Sequence, residues 1–241
     1  VSKTLVVVVP DADVLAATVA SRLVAKIVDA QADRGTASVV LTGGRIAAKV
    51  LTTVKDLPAA AAIDWSQVDL WWGDERFLPA GDADRNETQA RAALLDALPL
   101  DPARVHAMPA DAGQGVSSAA VSYAAELGDP LPTFDVLMLG VGEDGHVASL
   151  FPDHPVLTET GTTTAAVHDS PKPPPNRVTL TMPTIQSADE VWLIAAGPDK
   201  TVSVGAALGG DKSKPAAHAT GVSKTYWLLD RAAAADVPAR R

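Results

Sequence analysis

Phe134-Asp135-Val136-Leu137-Met138-Leu139-Gly140-Val141-Gly142-Glu143-Asp144-Gly145-His146 runs from a short apolar segment straight into a glycine-rich turn. Phe134–Leu139 reads as a strand buried on both faces, the kind found in parallel sheets. The turn matches G-x-G-x-x-G, but its context excludes a dinucleotide site. Such a site opens a long helix whose amides hold a pyrophosphate. Here Pro152 follows seven residues after Gly145 and interrupts any helix, and Glu143 and Asp144 would stand beside the phosphates. The turn instead delivers Asp144-Gly145-His146. A histidine on a tight glycine turn flanked by carboxylates suits proton transfer near neutral pH.

Outward from this point, apolar runs alternate with helical patterns. Leu5–Val9, Ser38–Leu41, Val68–Trp72, Thr164–His168, Arg177–Thr181, Glu190–Ala195 and Thr225–Asp230 read as strands. Pro10-Asp11-Ala12-Asp13 opens a helix with Leu15, Val19, Leu23 and Ile27 spaced by four, which Gly35 ends. Further helices are predicted near Ile46–Leu51, Ser117–Leu127 and Asp199–Leu208. Another runs through Leu94, Leu95 and Leu98, opened by Asn86 and Gln89 as a capping box. The alternation implies an α/β fold, Rossmann-like, with a mostly parallel sheet and helices on both faces. One domain over residues 1–241 is expected, with no repeat or linker. Ser170–Asn176 reads as a stiff proline loop and the Ala-rich tail 231–241 as frayed.

Composition limits the chemistry. The 241 residues carry 20 Lys+Arg against 29 Asp+Glu, a net charge of −9, and no cysteine. That excludes disulfides, Cys-ligated metals and a thiol nucleophile. The negative balance argues against nucleic acid and anionic membranes as partners. The apolar start is too short for a signal peptide, and no run approaches the ~18 apolar residues of a membrane span. A soluble, cytoplasmic protein is the expectation. His106, His154, His168 and His218 lack metal-ligand spacing and read as structural or exposed, and no serine sits in a G-x-S-x-G elbow.

In such a sheet, ligands bind beyond the carboxyl ends of the strands. Two further loops sit there. Trp71-Trp72-Gly73-Asp74-Glu75-Arg76 places three charges directly after a buried strand. Leu41-Thr42-Gly43-Gly44-Arg45 places free backbone N–H groups at a helix start, where an anion can sit. Gly197-Pro198-Asp199-Lys200 adds a cation at another helix start. It opposes the dipole by about 0.3–1 kcal/mol unless an anion binds.

Together, and in this order, these stretches resemble the 6-phosphogluconolactonase family, which shares its fold with glucosamine-6-phosphate deaminase. The matching segments are Leu41–Gly44, Trp72–Arg76, Gly140–Pro152, Pro174–Thr181, Gly197–Lys200 and Trp227–Asp230. The likeness spans residues 4–232. One departure is that the first glycine loop usually continues with Ser or Thr and then Pro, where this chain has Arg45-Ile46-Ala47. Another feature separates the lactonase from the deaminase. The deaminase pattern places an acidic residue just before the closing proline, for ring opening and proton relay, and this chain has Phe151 there. A sugar-phosphate sensor on the same fold would carry a DNA-binding helix-turn-helix, for which the start of the chain leaves no room.

The resemblance implies hydrolysis of 6-phospho-D-glucono-1,5-lactone to 6-phosphogluconate in the oxidative pentose phosphate pathway. His146 would take the proton from water, with Asp144 or Asp74 orienting the imidazole or accepting ring hydroxyls. Arg76 or glycine-loop amides would hold the oxyanion. Thr42, Gly43, Gly44, Arg45, Gly142, Arg177 and Lys200 would bind the phosphorylated substrate. The scheme needs no metal and no organic cofactor. The expected partner is the sugar phosphate lactone, the expected state a monomer.

Overall fold

The structure, a computed structural model, describes residues 2–238. Six parallel strands form the main sheet: β1 (Lys3–Val9), β2 (Ala37–Leu41), β3 (Val68–Trp72), β5 (Val136–Gly140), β8 (Glu190–Ala195) and β9 (Lys224–Asp230), in the order β1-β9-β8-β5-β2-β3. β2, β5 and β8 are buried at nearly every position, which is why they read as unbroken apolar runs rather than alternating ones. The expected single sheet is corrected in one respect. A second, antiparallel sheet, β4 (Asp74–Arg76), β7 (Arg177–Leu180) and β6 (Thr164–Val167), stands beside the first. Asp74-Glu75-Arg76, expected as a loop, is its edge strand. Gly73 joins the two sheets: its N–H donates to Leu41 O (3.0 Å) and its carbonyl accepts from Leu180 N (2.9 Å).

Helix α1 (Ala12–Arg34) starts as its sequence predicts. Asp11 Oδ1 accepts from the N–H groups of Asp13 and Val14, both at 2.9 Å, and Gly35 in the left-handed region closes the other end. α2 (Arg45–Asp56) packs against α1. Right-handed crossovers place this pair on one face, because both connections run toward β3. The connections after β3, β5 and β8 run back the other way, which puts α4 (Val116–Leu127), α5 (Met182–Gln186), α6 (Thr201–Leu208) and the small sheet on the opposite face. No helix among the described residues is long and apolar enough to cross a membrane.

Two local expectations are overturned. Asn86 and Gln89 do not form a capping box for α3 (Asn86–Ala93). Asn86 is the first helical residue, and Gln89 Nε2 reaches Ala83 O instead. The cap comes from another strand: the buried carboxylate of Glu75 accepts from Asn86 N (2.6 Å), Glu87 N (2.9 Å) and its own neighbour Arg76 N (2.8 Å). The fully buried Arg85 lies 3.7 Å from the same carboxylate. Nor is the tail frayed through residue 237. Ala233 is fully buried, its N–H donates to Asp230 Oδ1 (2.7 Å), and Thr201 Oγ1 donates to Ala232 O (2.7 Å). Small alanines let this turn lie against α6, where a Cβ on Gly205 would overlap Asp236. Residues 239–241 lie outside the described residues.

Candidate active site

The chain runs from β2 outward to β3 but from β5 back to β8, so the order reverses between β2 and β5. A crevice at such a switch point is the expected ligand site. A cavity of about 660 Å³ opens there, at the carboxyl ends of the strands. Thr42 Oγ1 at the end of β2 accepts from Gly140 N at the end of β5 (3.3 Å), which ties its two sides together.

The glycine turn after β5 forms the cavity wall. It is closed by Gly145 N donating to Gly142 O (3.0 Å) and Gly142 N to His146 O (2.9 Å), with Gly145 at φ +89°. His146 Nδ1 lies 2.6 Å from Asp144 Oδ1, which also accepts from His146 N (3.1 Å). Both side chains pack on the bare Cα of Gly142, where a Cβ would overlap His146 and Asp144. Gly142 therefore lines the cavity as a platform, and its N–H is not available to a substrate. Partial burial opposes charge on Asp144, but the hydrogen bond and charge of His146, with help from Lys172, hold its carboxyl well below the usual range. An ionised carboxylate only accepts, so His146 Nδ1 carries the hydrogen in that pair.

Beneath His146 the chain turns through Ala148, a non-glycine residue at φ +49°, and Ser149. Phe151 is fully buried, its ring centroid 4.5 Å from that of His146, with the Arg177 guanidinium 5.6 Å from its ring centre. Asp74, also buried, accepts from Ser149 Oγ (2.7 Å) and Asn86 Nδ2 (3.3 Å). Asp74 borders the cavity but makes no hydrogen bond to His146. Of the two carboxylates weighed from sequence, Asp144 is the one on the imidazole.

The cationic groups do converge. Arg45, Arg76, Arg177 and Lys200 all line the cavity. Arg76 Nη1 donates to Asp84 O (2.6 Å), while its Nε is buried without a partner. α2 starts at Arg45 with no side-chain cap and no acidic residue in its first turn. The N–H groups of Gly43 and Gly44 find no acceptor among the described residues. α6 also lacks a side-chain cap, but it continues from the short turn Pro198–Lys200, with Thr201 N–H bonded to Pro198 O. The N-terminus of α2 thus faces the cavity with a cation where the dipole disfavours one, and Lys200 lines the cavity beside it, paired with Asp199 at 3.1 Å.

Arg177 departs from expectation. Its Nε donates to Pro174 O (3.2 Å) and its Nη2 to Lys172 O (3.1 Å) and Pro173 O (2.9 Å). The guanidinium organises the proline loop, and only Nη1 is left for a ligand. Burial disfavours its charge, Asp74 supports it, and Arg76, its partner in the strand register, opposes it. Sequence reasoning passed over Lys49 and Lys172, and read Asn86 only as a cap. All three line the cavity, and Asn86 Oδ1 is buried without a partner. Of the other histidines, none borders it; His106 stacks on the core residue Trp71 at 3.7 Å.

The family model of glucosamine-6-phosphate isomerases/6-phosphogluconolactonase matches residues 10–227. A 6-phosphogluconolactonase of Streptomyces coelicolor is 56% identical over 241 residues, covering 95% of this chain and 92% of that protein. One from Mycobacterium tuberculosis is 47% identical over 240 residues, covering 95% of this chain and 96% of that protein. The crystal structure of 6-phosphogluconolactonase from Thermotoga maritima superposes with a TM-score of 0.85 at 24% identity, over 95% of this chain and all of that one.

Proposed function

Since the chain belongs to the glucosamine-6-phosphate isomerase/6-phosphogluconolactonase family, we propose that His146 is the general base of its lactone hydrolysis. The activity itself is that of a 6-phosphogluconolactonase, a hydrolase of the pentose phosphate pathway. The observation that carries the base assignment is the 2.6 Å pairing of His146 Nδ1 with Asp144. With Nδ1–H directed at a carboxylate, the neutral imidazole keeps its lone pair on Nε2, which takes a proton from water. Water then adds to the lactone carbonyl. Asp144 holds the tautomer and steadies the imidazolium that forms. The ester oxygen leaves as the ring opens and receives the proton back from His146.

The oxyanion of the tetrahedral intermediate needs a donor already in place. Arg76, with its unpartnered Nε, serves better than Gly142, whose N–H is committed. The phosphate rests on the amides of Gly43 and Gly44 beside Thr42, with Arg45, Lys200 and Nη1 of Arg177 supplying charge. Anchoring that remote group holds the carbonyl near His146. Every group invoked comes from one chain, so the site needs no residue from a second copy. A phosphorylated sugar does not cross a bilayer unaided, so the enzyme works in the compartment where its substrate is made.

His146→Ala tests the base. Turnover should fall by about 10²–10⁴-fold with little change in KM, after subtraction of spontaneous hydrolysis. Near wild-type turnover in this variant would remove His146 from the role.

A further inference from the structure

Lys172 belongs to the proline loop, and its backbone is held at both ends. Its N–H donates to Ser170 Oγ (3.3 Å), which in turn donates to Lys172 O (2.8 Å), and Arg177 Nη2 donates to the same carbonyl. A loop so fixed presents the Lys172 side chain to the cavity, which it lines. Its ammonium has one partner, Glu143 on the glycine turn, at 2.9 Å. Glu143 is 60% exposed and stands close enough to both Lys172 and Lys200 for each to favour its charge. Lys172 thus shares a counter-ion with one of the cations assigned to the phosphate.

An exposed ion pair of this kind is weak and exchanges readily. A phosphate dianion entering the cavity offers Lys172 more charge and more acceptor oxygens than Glu143, and in a less hydrated setting. Glu143, already in water, loses little on release. Lys200 has a resting partner of the same type in Asp199, at 3.1 Å. Resting counter-ions keep the lysines placed in the empty enzyme and compete with the phosphate for them.

We propose that Lys172 is a further phosphate-binding residue, exchanged from its resting partner Glu143 when the 6-phosphate enters. The proposal rests on the lactonase reading and adds a specificity group that the motifs did not contain. It predicts opposite effects at the two ends of one ion pair.

The test measures KM and kcat for Lys172→Met, Glu143→Gln and, as comparator, Lys200→Met, on 6-phosphogluconolactone and on unphosphorylated gluconolactone. Lys172→Met should raise KM for the phosphorylated lactone by about tenfold and leave that for the plain lactone unchanged. Glu143→Gln should lower KM for the phosphorylated lactone by about threefold, since a competitor is gone. Inhibition by inorganic phosphate should weaken in the first variant and strengthen in the second. Equal losses on both lactones in Lys172→Met would make Lys172 structural and overturn the proposal. So would an unchanged KM in Lys172→Met beside a raised one in Lys200→Met. If neither lysine variant changes KM, the phosphate site itself is misplaced, a different failure from an active His146→Ala.

Discussion

At the scale of single residues, the proposed chemistry depends on two side chains separated by one glycine. Asp144 and His146 meet because Gly145 at φ +89° reverses the chain between them and Gly142 leaves space beneath. The glycine turn carrying a histidine flanked by carboxylates was legible in sequence, since it is local. The choice between Asp144 and Asp74 was not, because Asp74 arrives from a different sheet. Asp144→Asn should lower turnover about 10²–10⁴-fold, since the amide no longer enforces the Nδ1–H tautomer. The same variant tests linkage. The carboxyl of Asp144 is held below its ordinary value of 3.8, so its stabilising contact is in place above that pH and fades as the pH falls toward the lower folded value. Denaturant melts of both proteins should therefore differ in mildly acidic buffer and converge in stronger acid. A gap that stays constant through the acid range would sink that account.

At the scale of elements, most boundaries followed from apolar runs and caps. The exceptions are those where a distant element supplies the partner. α3 looked self-capped through Asn86 and Gln89, yet the acceptor is Glu75 on β4, eleven residues before Asn86. Burial pushes the Glu75 carboxyl up, against the three backbone donors and Arg85 that favour its charge. Glu75→Gln keeps the shape but turns an amide NH₂ toward donors that lose their acceptor. A loss of about 1–3 kcal/mol is expected, read as a lower urea midpoint with an unchanged slope. Arg76 and Asn86 flank that cap, so KM and turnover should both worsen. Arg177 carries the same lesson: its place in the motif pointed to the substrate, while the carbonyls it meets belong to a proline loop whose path no local pattern specified.

At the scale of the whole molecule, an excess of nine negative charges coexists with a pocket lined by Arg45, Lys49, Arg76, Lys172, Arg177 and Lys200. Net charge governs solubility and long-range steering, whereas binding depends on groups within a Debye length, about 8 Å at physiological salt. Raising ionic strength should therefore raise KM for the phosphorylated lactone and leave that for plain gluconolactone nearly constant. Parallel salt dependence of the two would argue against a local cationic pocket. The sequence by itself determined the alternation of strands and helices, the loops at the carboxyl ends, and the glycine turn that carries Asp144 and His146. Each depends on contacts a few residues apart, through apolar periodicity, glycine turns and caps. The tertiary structure alone decided which loops face one another. The strand order β1-β9-β8-β5-β2-β3 and the second sheet bring residues 42–45, 74–76, 142–146, 172–177 and 197–200 around one cavity. Long-range hydrogen bonding and burial select that order from among many the same elements could adopt, so a residue such as Lys172 acquires its neighbours only when the chain has closed.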